Sequence, residues 1–181
     1  MSTLRVLTVC TGNTCRSPMA QVILQARLAE RGIAAEVQSA GTLGWAERGA
    51  TPHAVTVMEE LGLALGDHRS RKIDPSHLDV DLVLAMTRVH AGAVTARDQA
   101  LAPCVFLPGE LGRLLRRSPE PVDAMTMTER IRRLGEQRSG PVIGRPVDEV
   151  ADPAGEPIDV YRATAARLDR DLTSLAVLLA G

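Results

Sequence analysis

The sequence predicts an α/β fold in which a parallel sheet is flanked by helices on both faces. Short apolar runs at residues 4–9, 35–39, 82–86 and 104–107 alternate with segments of helical spacing, the order that builds strand–helix units. The run Leu82-Val83-Leu84-Ala85-Met86 is apolar throughout, as a central parallel strand covered on two faces must be. Toward the end of the chain, Ile158, Tyr161, Ala165, Leu168, Leu172, Leu175 and Leu179 recur in steps of three and four. That is one apolar stripe on a long helix, and it predicts packing onto the sheet.

Each element has a local cause. Leu4-Arg5-Val6-Leu7-Thr8-Val9 reads as a short buried strand. Ser17-Pro18 supplies a cap and a proline at the first helical position, opening a helix that runs to Arg31 through Met19, Val22, Ile23, Ala26 and Leu28 and stops at Gly32. Residues 35–39 make the next strand. Thr51-Pro52 opens a second helix through Val55, Met58 and Leu61, stopped by Gly62. Asp74-Pro75 starts a short helical turn, Thr87 caps the helix after the central strand, and Cys104-Val105-Phe106-Leu107 is the last strand. Residues 112–146, rich in Arg, Pro and Gly, form an extended insertion with a helical excursion at about 128–134 and flexible flanks. At this length, 1–181 reads as one domain around one core.

The chemistry concentrates in the loop after the first strand. Cys10-Thr11-Gly12-Asn13-Thr14-Cys15-Arg16-Ser17 sets a cysteine and an arginine six positions apart, with a glycine between them, at a helix start. Unpaired N–H groups and a partial positive charge at such a terminus attract phosphate and favour a thiolate over a thiol. Arg16 adds a bidentate fork for two phosphate oxygens. A thiolate attacking phosphorus also needs a proton for the leaving group. Asp152-Pro153, just before the last helix, offers a carboxyl on a restricted backbone, although Asp-Pro is also an ordinary turn signal.

Composition narrows the partners. Net charge is −1 and aromatic residues are 2% of the chain, so bases find almost nothing to stack on and nucleic acid is not expected. Lys72 is the single lysine, and Arg113, Arg116, Arg117, Arg130, Arg132, Arg133 and Arg138 read as a solvated basic face. The three cysteines, Cys10, Cys15 and Cys104, are sparse and without metal-like pairing, which suits a reducing, cytoplasmic setting. Cys104 reads as a small buried hydrophobe. Nothing in the spacing of Cys10, Cys15, His53 and His68 favours a zinc site, and no cofactor is called for. The N-terminus lacks a signal-like segment and residues 175–180 are too short to span a membrane, so no membrane partner is expected.

The run Val9-Cys10-Thr11-Gly12-Asn13-Thr14-Cys15-Arg16-Ser17-Pro18-Met19-Ala20 resembles the signature of low-molecular-weight protein tyrosine phosphatases, whose bacterial relatives include protein arginine phosphatases and arsenate reductases. The stretches Ser39-Ala40-Gly41-Thr42 with Trp45, Asp67-His68-Arg69-Ser70-Arg71, residues 81–86, and Asp152-Pro153 followed by Tyr161 occur in that family's order. The resemblance implies a four-stranded parallel sheet, Cys10 as nucleophile, Arg16 as phosphate clamp and Asp152 as general acid. It implies a hydrogen-bonded support of Asn13, Ser17, Ser39 and His68 behind the loop, and a reversible disulfide between Cys15 and Cys10 that protects the nucleophile.

It also implies a substrate: a phosphorylated protein or small aryl phosphate, with phosphotyrosine first by the breadth of that group and phosphoarginine as the alternative. Tyrosine-specific members place aromatic residues after the Asp-Pro pair, whereas this chain has Ala154-Gly155, and it carries Thr14 where isoleucine is common. A threonine hydroxyl can accept a hydrogen bond from a guanidinium and a methyl cannot. Trp45 matches a wall position and offers its face to either group; on residue type alone it is equally a loop anchor, and Thr14 equally a filler. Arsenate reduction would need further cysteines near 80–90, which are absent. A non-catalytic phosphate-binding module would need neither the nucleophile nor the acid.

Overall fold

The computed structural model describes residues 3–45, 47–117, 126–138 and 143–180. Strands β1 (Leu4–Cys10), β2 (Ala35–Gly41), β3 (Leu82–Ala85) and β4 (Val105–Phe106) form one sheet in the order β2-β1-β3-β4, every pair parallel. Cys10 lies opposite Gly41, and Val9 lies between Ala40 and Ala85. The chain leaves β1 toward β2 on one side, and the other neighbour, β3, is reached later. The carboxyl end of β1 is therefore a switch point, where open parallel sheets leave a crevice.

Strand periodicity sorts the core into two layers. Leu4, Val6, Leu82, Leu84 and Phe106 pack with α1 (Arg16–Ala29), α2 (Pro52–Glu60), α4 (Pro108–Arg117), α5 (Met127–Glu136) and α6 (Ile158–Ala180). Leu7, Val9, Val83, Ala85 and Val105 pack on the other side with Ala91 and Val94 of α3 (Arg88–Thr95) and with Ile73 and Leu101. In α6 the predicted stripe is buried from Tyr161 to Leu179 and only partly at Ile158. Its main contacts are with α1, α4 and α2, so it covers the sheet together with α1 rather than alone. The Asp74-Pro75 turn and the Thr87 cap form as expected, with Thr87 Oγ1 accepting from the His90 N–H.

Three local expectations are corrected. The first helix begins at Arg16 with Cys15 at its cap, because the Ser17 hydroxyl is drawn to Cys10 and Asn13 instead of capping. Cys104 closes a 3₁₀ turn, Gln99–Cys104, rather than starting β4, and it is buried as expected. Residues 112–117 are the end of α4. The helical excursion forms as α5, capped by reciprocal bonds between Thr126 and Glu129, while the flanks expected to be flexible, at 118–125 and 139–142, lie outside the described residues.

The arginines of this region are also not simply a solvated face. Arg138 pairs with buried Glu110 at 3.0 Å, donates to Ala102 O at 3.1 Å and to Val105 O, and stacks over Phe106 at 4.0 Å. Arg113 pairs with buried Asp148 at 2.8 Å. Arginine's fixed fork of donors suits such inward ties, where several carbonyl and carboxylate oxygens need partners at once.

Arg138 and Gly135 together seat α5 on the 3₁₀ turn. A Cβ at Gly135 would lie 1.8 Å from Pro103 O. Helix propensity alone makes Gly→Ala stabilising by about 0.8–1 kcal/mol, whereas a forced backbone shift costs about 1–3 kcal/mol. Gly135→Ala should therefore lower the urea midpoint; a raised midpoint would show that α5 is not seated this closely.

Candidate active site

The loop between β1 and α1 is folded so that its carbonyls are used and its amides are not. Cys10 O accepts from Thr42 N at 2.9 Å, Thr11 O from Leu43 N at 3.0 Å, and Thr14 O from Thr51 N at 2.9 Å. Asn13 O faces His68 Nε2 at 2.7 Å. Among the described residues the N–H groups from Gly12 to Ser17 have no protein acceptor. They lie at the N-terminus of α1, where the helix dipole adds to their pull on an anion. Gly41 makes this approach possible: a Cβ there would meet Thr11 O at 2.6 Å.

Asn13 is the knot of the loop. Its φ is 56°, a region that asparagine tolerates better than other side-chain-bearing residues. Its amide nitrogen donates to Ser17 Oγ at 3.0 Å and Ser39 Oγ at 2.9 Å, and its Oδ1 accepts from Arg71 N at 2.9 Å. Ser39 Oγ donates onward to Gln21 Oε1 at 2.6 Å. The four residues expected to stiffen the loop, Asn13, Ser17, Ser39 and His68, are thus brought into one network. Burial holds His68 below its usual pKa, against the opposing bond to Asn13 O.

Ser17 Oγ stands 3.0 Å from Cys10 Sγ. Arg16, its side chain 5% exposed, pairs through Nη2 with Asp152 Oδ2 and donates from Nη1 to Val150 O at 3.1 Å. Its Nε is buried without a partner among the described residues, an expensive condition for a cationic donor unless a ligand uses it. Asp152 is 46% exposed and accepts from Ala154 N at 3.2 Å. Cys10, Thr11, Gly12, Thr14, Cys15, Arg16, Trp45, Asp152 and Ala154 line one cleft of about 80 Å³, which brings every expected nucleophile, clamp, acid and wall residue together.

The walls are specific. Trp45, 47% exposed, packs over Gly12, where a Cβ would stand 3.0 Å from the indole, and the Arg48 guanidinium lies 4.9 Å from its ring centre. Cys15 is buried with its Sγ 3.4 Å from Thr51 Oγ1 and 3.6 Å from the Tyr161 hydroxyl. Burial is the first cause raising the Tyr161 pKa. Thr51 is the cap residue of α2 yet makes no capping bond, its hydroxyl being turned to Cys15.

Sequence reading missed three contributors: the Val150 carbonyl on Arg16, the Tyr161 hydroxyl on Cys15, and His90. His90 is buried on α3, with Nε2 2.9 Å from Thr11 Oγ1 and Nδ1 2.9 Å from Thr87 Oγ1. The available signal was positional, since Thr87-x-x-His90 follows a central strand whose carboxyl end borders the crevice.

Burial first, and the nearby Arg16 charge second, push the His90 pKa down to about 4. An unfolded histidine protonates near 6.5. Between these values the unfolded chain binds more protons, so this stability is complete above about pH 6.5 and is lost as pH falls toward 4. His68 has the same sign. The urea midpoint should fall from pH 7 to pH 5, with His90 contributing on the order of 2 kcal/mol, and His90→Gln should flatten that dependence. An unchanged slope in His90→Gln would remove this account.

The model of the family described as low molecular weight phosphotyrosine protein phosphatase matches residues 5–107. A protein-arginine-phosphatase of Bacillus subtilis (strain 168) is 30% identical over 176 residues, covering 94% of this chain and 93% of its own. A low molecular weight protein-tyrosine-phosphatase of Streptomyces coelicolor is 42% identical over 107 residues, covering 54% and 65%. Among solved structures, a YwlE arginine phosphatase variant with a phosphorylated active-site serine superposes with a TM-score of 0.73 at 30% identity, covering 96% of this chain and 94% of that one. With the sheet order, the loop and the sequence match in agreement, this chain belongs to the low molecular weight phosphotyrosine protein phosphatase family.

Proposed function

We propose that this chain is a cysteine-dependent protein phosphatase that works through a cysteinyl-phosphate. The observation that carries the reading is the convergence of Cys10, Arg16 and Asp152 on one small cleft beneath unpaired loop amides. In the reaction, the Cys10 thiolate attacks phosphorus while the loop amides and Arg16 hold the equatorial oxygens, where charge accumulates. An arriving phosphoryl group competes with Asp152 for the Arg16 fork and frees the carboxyl. Released from the ion pair and exposed to solvent, the Asp152 carboxylate takes up a proton from water and delivers it to the leaving group as the bond to phosphorus breaks. Ser17 Oγ donates to the sulfur as the cysteinyl-phosphate breaks down, and Asp152 takes a proton from the attacking water. The phosphorylated active-site serine of the structurally similar YwlE variant supports a covalent route. The sparse cysteines support work in a reducing, cytoplasmic setting.

Phosphoarginine in a protein is the substrate the cleft favours. Thr14 reaches the cleft, Ala154 leaves the side after Asp152 without an aromatic wall, and the similarity to the B. subtilis arginine phosphatase extends over nearly the whole of both chains. This reverses the order given by family breadth alone. Phosphotyrosine is the second reading, favoured by the exposed face of Trp45, which can carry a phenyl ring as well as a guanidinium.

Turnover of a phosphoarginine peptide and a phosphotyrosine peptide, measured side by side without added metal, tests both levels. Cys10→Ser should reduce both to background; residual turnover would remove the nucleophile and the mechanism with it. Thr14→Ile should move the ratio of the two activities toward phosphotyrosine by about tenfold, the value of one hydrogen bond to a charged group. An unmoved ratio would leave Thr14 without a role in selection.

Asp152→Ala separates the acid from the cradle. Loss of a positioned proton donor costs roughly 10²–10⁴-fold, and that loss should appear on peptides with poor leaving groups while an activated aryl phosphate keeps most of its rate. Equal losses on both substrates would take the acid role from Asp152.

A further inference from the structure

His90 is buried on α3 between two hydroxyls, that of Thr87 at the cap of its own helix and that of Thr11 in the loop. Nδ1 faces Thr87 Oγ1 and Nε2 faces Thr11 Oγ1, each at 2.9 Å. Thr87 Oγ1 also accepts from the His90 backbone N–H at 3.4 Å, as the cap of α3. A hydroxyl has two lone pairs, so that bond alone permits either tautomer; among the described residues the Thr87 hydrogen has no protein acceptor other than Nδ1, and on that ground Nδ1 is assigned as the acceptor. A neutral imidazole then carries its proton on Nε2 and donates it to Thr11 Oγ1. Thr11 accepts, so its own hydrogen is free, and Thr11 lines the cleft directly after Cys10. The opposite tautomer would consume the Thr11 hydrogen on Nε2 and leave the Thr87 hydrogen without a protein acceptor among the described residues.

We propose that His90 is a positioning residue of the phosphate site: held by Thr87, it turns the Thr11 hydroxyl into a side-chain donor for a bound phosphoryl group. The inference rests on the cleft being the phosphate site of the proposed phosphatase. Its chemistry is simple. The amides and Arg16 bind the equatorial oxygens, and Thr11 adds an O–H donor whose direction is fixed from the far side of the sheet. The depressed pKa of His90, about 4, keeps the imidazole neutral at neutral pH, as the relay requires, since a doubly protonated ring could not accept from Thr87.

The test is a coupling measurement with inorganic phosphate as the probe, read both as a competitive inhibition constant and by calorimetric binding. Thr11→Val should weaken phosphate by roughly tenfold or more, tenfold being the lower end for a hydrogen bond to a charged group. His90→Leu, which releases the orientation of that donor, should weaken it severalfold in the parent and by less than twofold in the Thr11→Val background, because both changes act through the same hydroxyl. Where His90→Leu fails to fold, Thr87→Val, which keeps the branched shape and removes the hydroxyl, takes its place in the same cycle. The inference is overturned by unchanged phosphate affinity in Thr11→Val, by His90→Leu or Thr87→Val without effect in the parent, or by an equal loss in both backgrounds, which marks a merely structural role. A parent that neither binds phosphate nor turns over either peptide would overturn the phosphatase reading as well, whereas an active parent with additive losses overturns this inference alone.

Discussion

Asn13 sits in the left-handed region at φ 56°, and that conformation lets its side chain reach Ser17 and Ser39 while its carbonyl turns to His68. Every polar atom of the side chain is engaged, with Arg71 N on Oδ1. The consequence is geometric. The chain reverses at Asn13, the carbonyls around it point outward into the loops after β2 and before α2, and the amides of the following residues are left for a ligand. Residues from α1, β2 and the 68–71 segment are drawn to one side chain, so a local backbone choice at one position fixes how three distant segments meet. A strained or uncommon conformation persists only where its surroundings over-determine it, and here four hydrogen bonds to Asn13 do so.

A second constraint locates the proposed acid. Asp152 is far from Cys10 in sequence, and its loop is held by ties that do not involve the carboxylate. Val150 N donates to Met86 O at 2.8 Å, extending the pattern of β3 outward, and Val150 O accepts from Arg16. Two residues before Val150, Asp148 is buried between Arg113 of α4 and Arg145. These charged groups hold the Asp148 pKa down although burial, the first cause acting on it, pushes the other way. Removing one partner from such a buried pair is more damaging than the pair is stabilising. The path from α4 through Asp148 to Val150 therefore positions the Asp152 loop over Arg16 without asking Asp152 to anchor itself.

How much of this the residues declare depends on the range of the interaction. The fold was legible because strand and helix periodicity are local, and the Cys10 to Ser17 loop was legible because its chemistry is contiguous. The supporting shell of Ser39 and His68 came only through family resemblance, since nothing in a lone histidine at 68 says that it meets a carbonyl at 13. Residue type predicts four caps, of which Asp74 and Thr87 form. Thr87 caps, but Ser17 and Thr51 give their hydroxyls to the loop cysteines, because a tertiary partner outcompetes a local one. Arg113 and Arg138 read as surface charge in the sequence, because their buried partners, Asp148 and Glu110, are 35 and 28 residues away. Composition is blind to such pairings.

The division of labour inside the cleft follows from which groups are backbone and which are side chains. In the proposed function phosphate recognition would rest mainly on amides, one helix end and Arg16, none of which distinguishes an ester from an amide of phosphoric acid. Discrimination must come from what surrounds the leaving group, and there the chain offers three side chains: Thr14, Trp45 and Ala154. Gly12 is what admits the indole, since any side chain there would press on it. A phenol leaving group gains most from an apolar sandwich, and Ala154 supplies little of one. A guanidinium presents N–H donors in a plane, and it gains from an acceptor at the rim and an aromatic face. Thr14 and Trp45, which line the cleft from different segments, are the residues that would provide those two functions under the proposed function, on a cradle indifferent to which substrate enters.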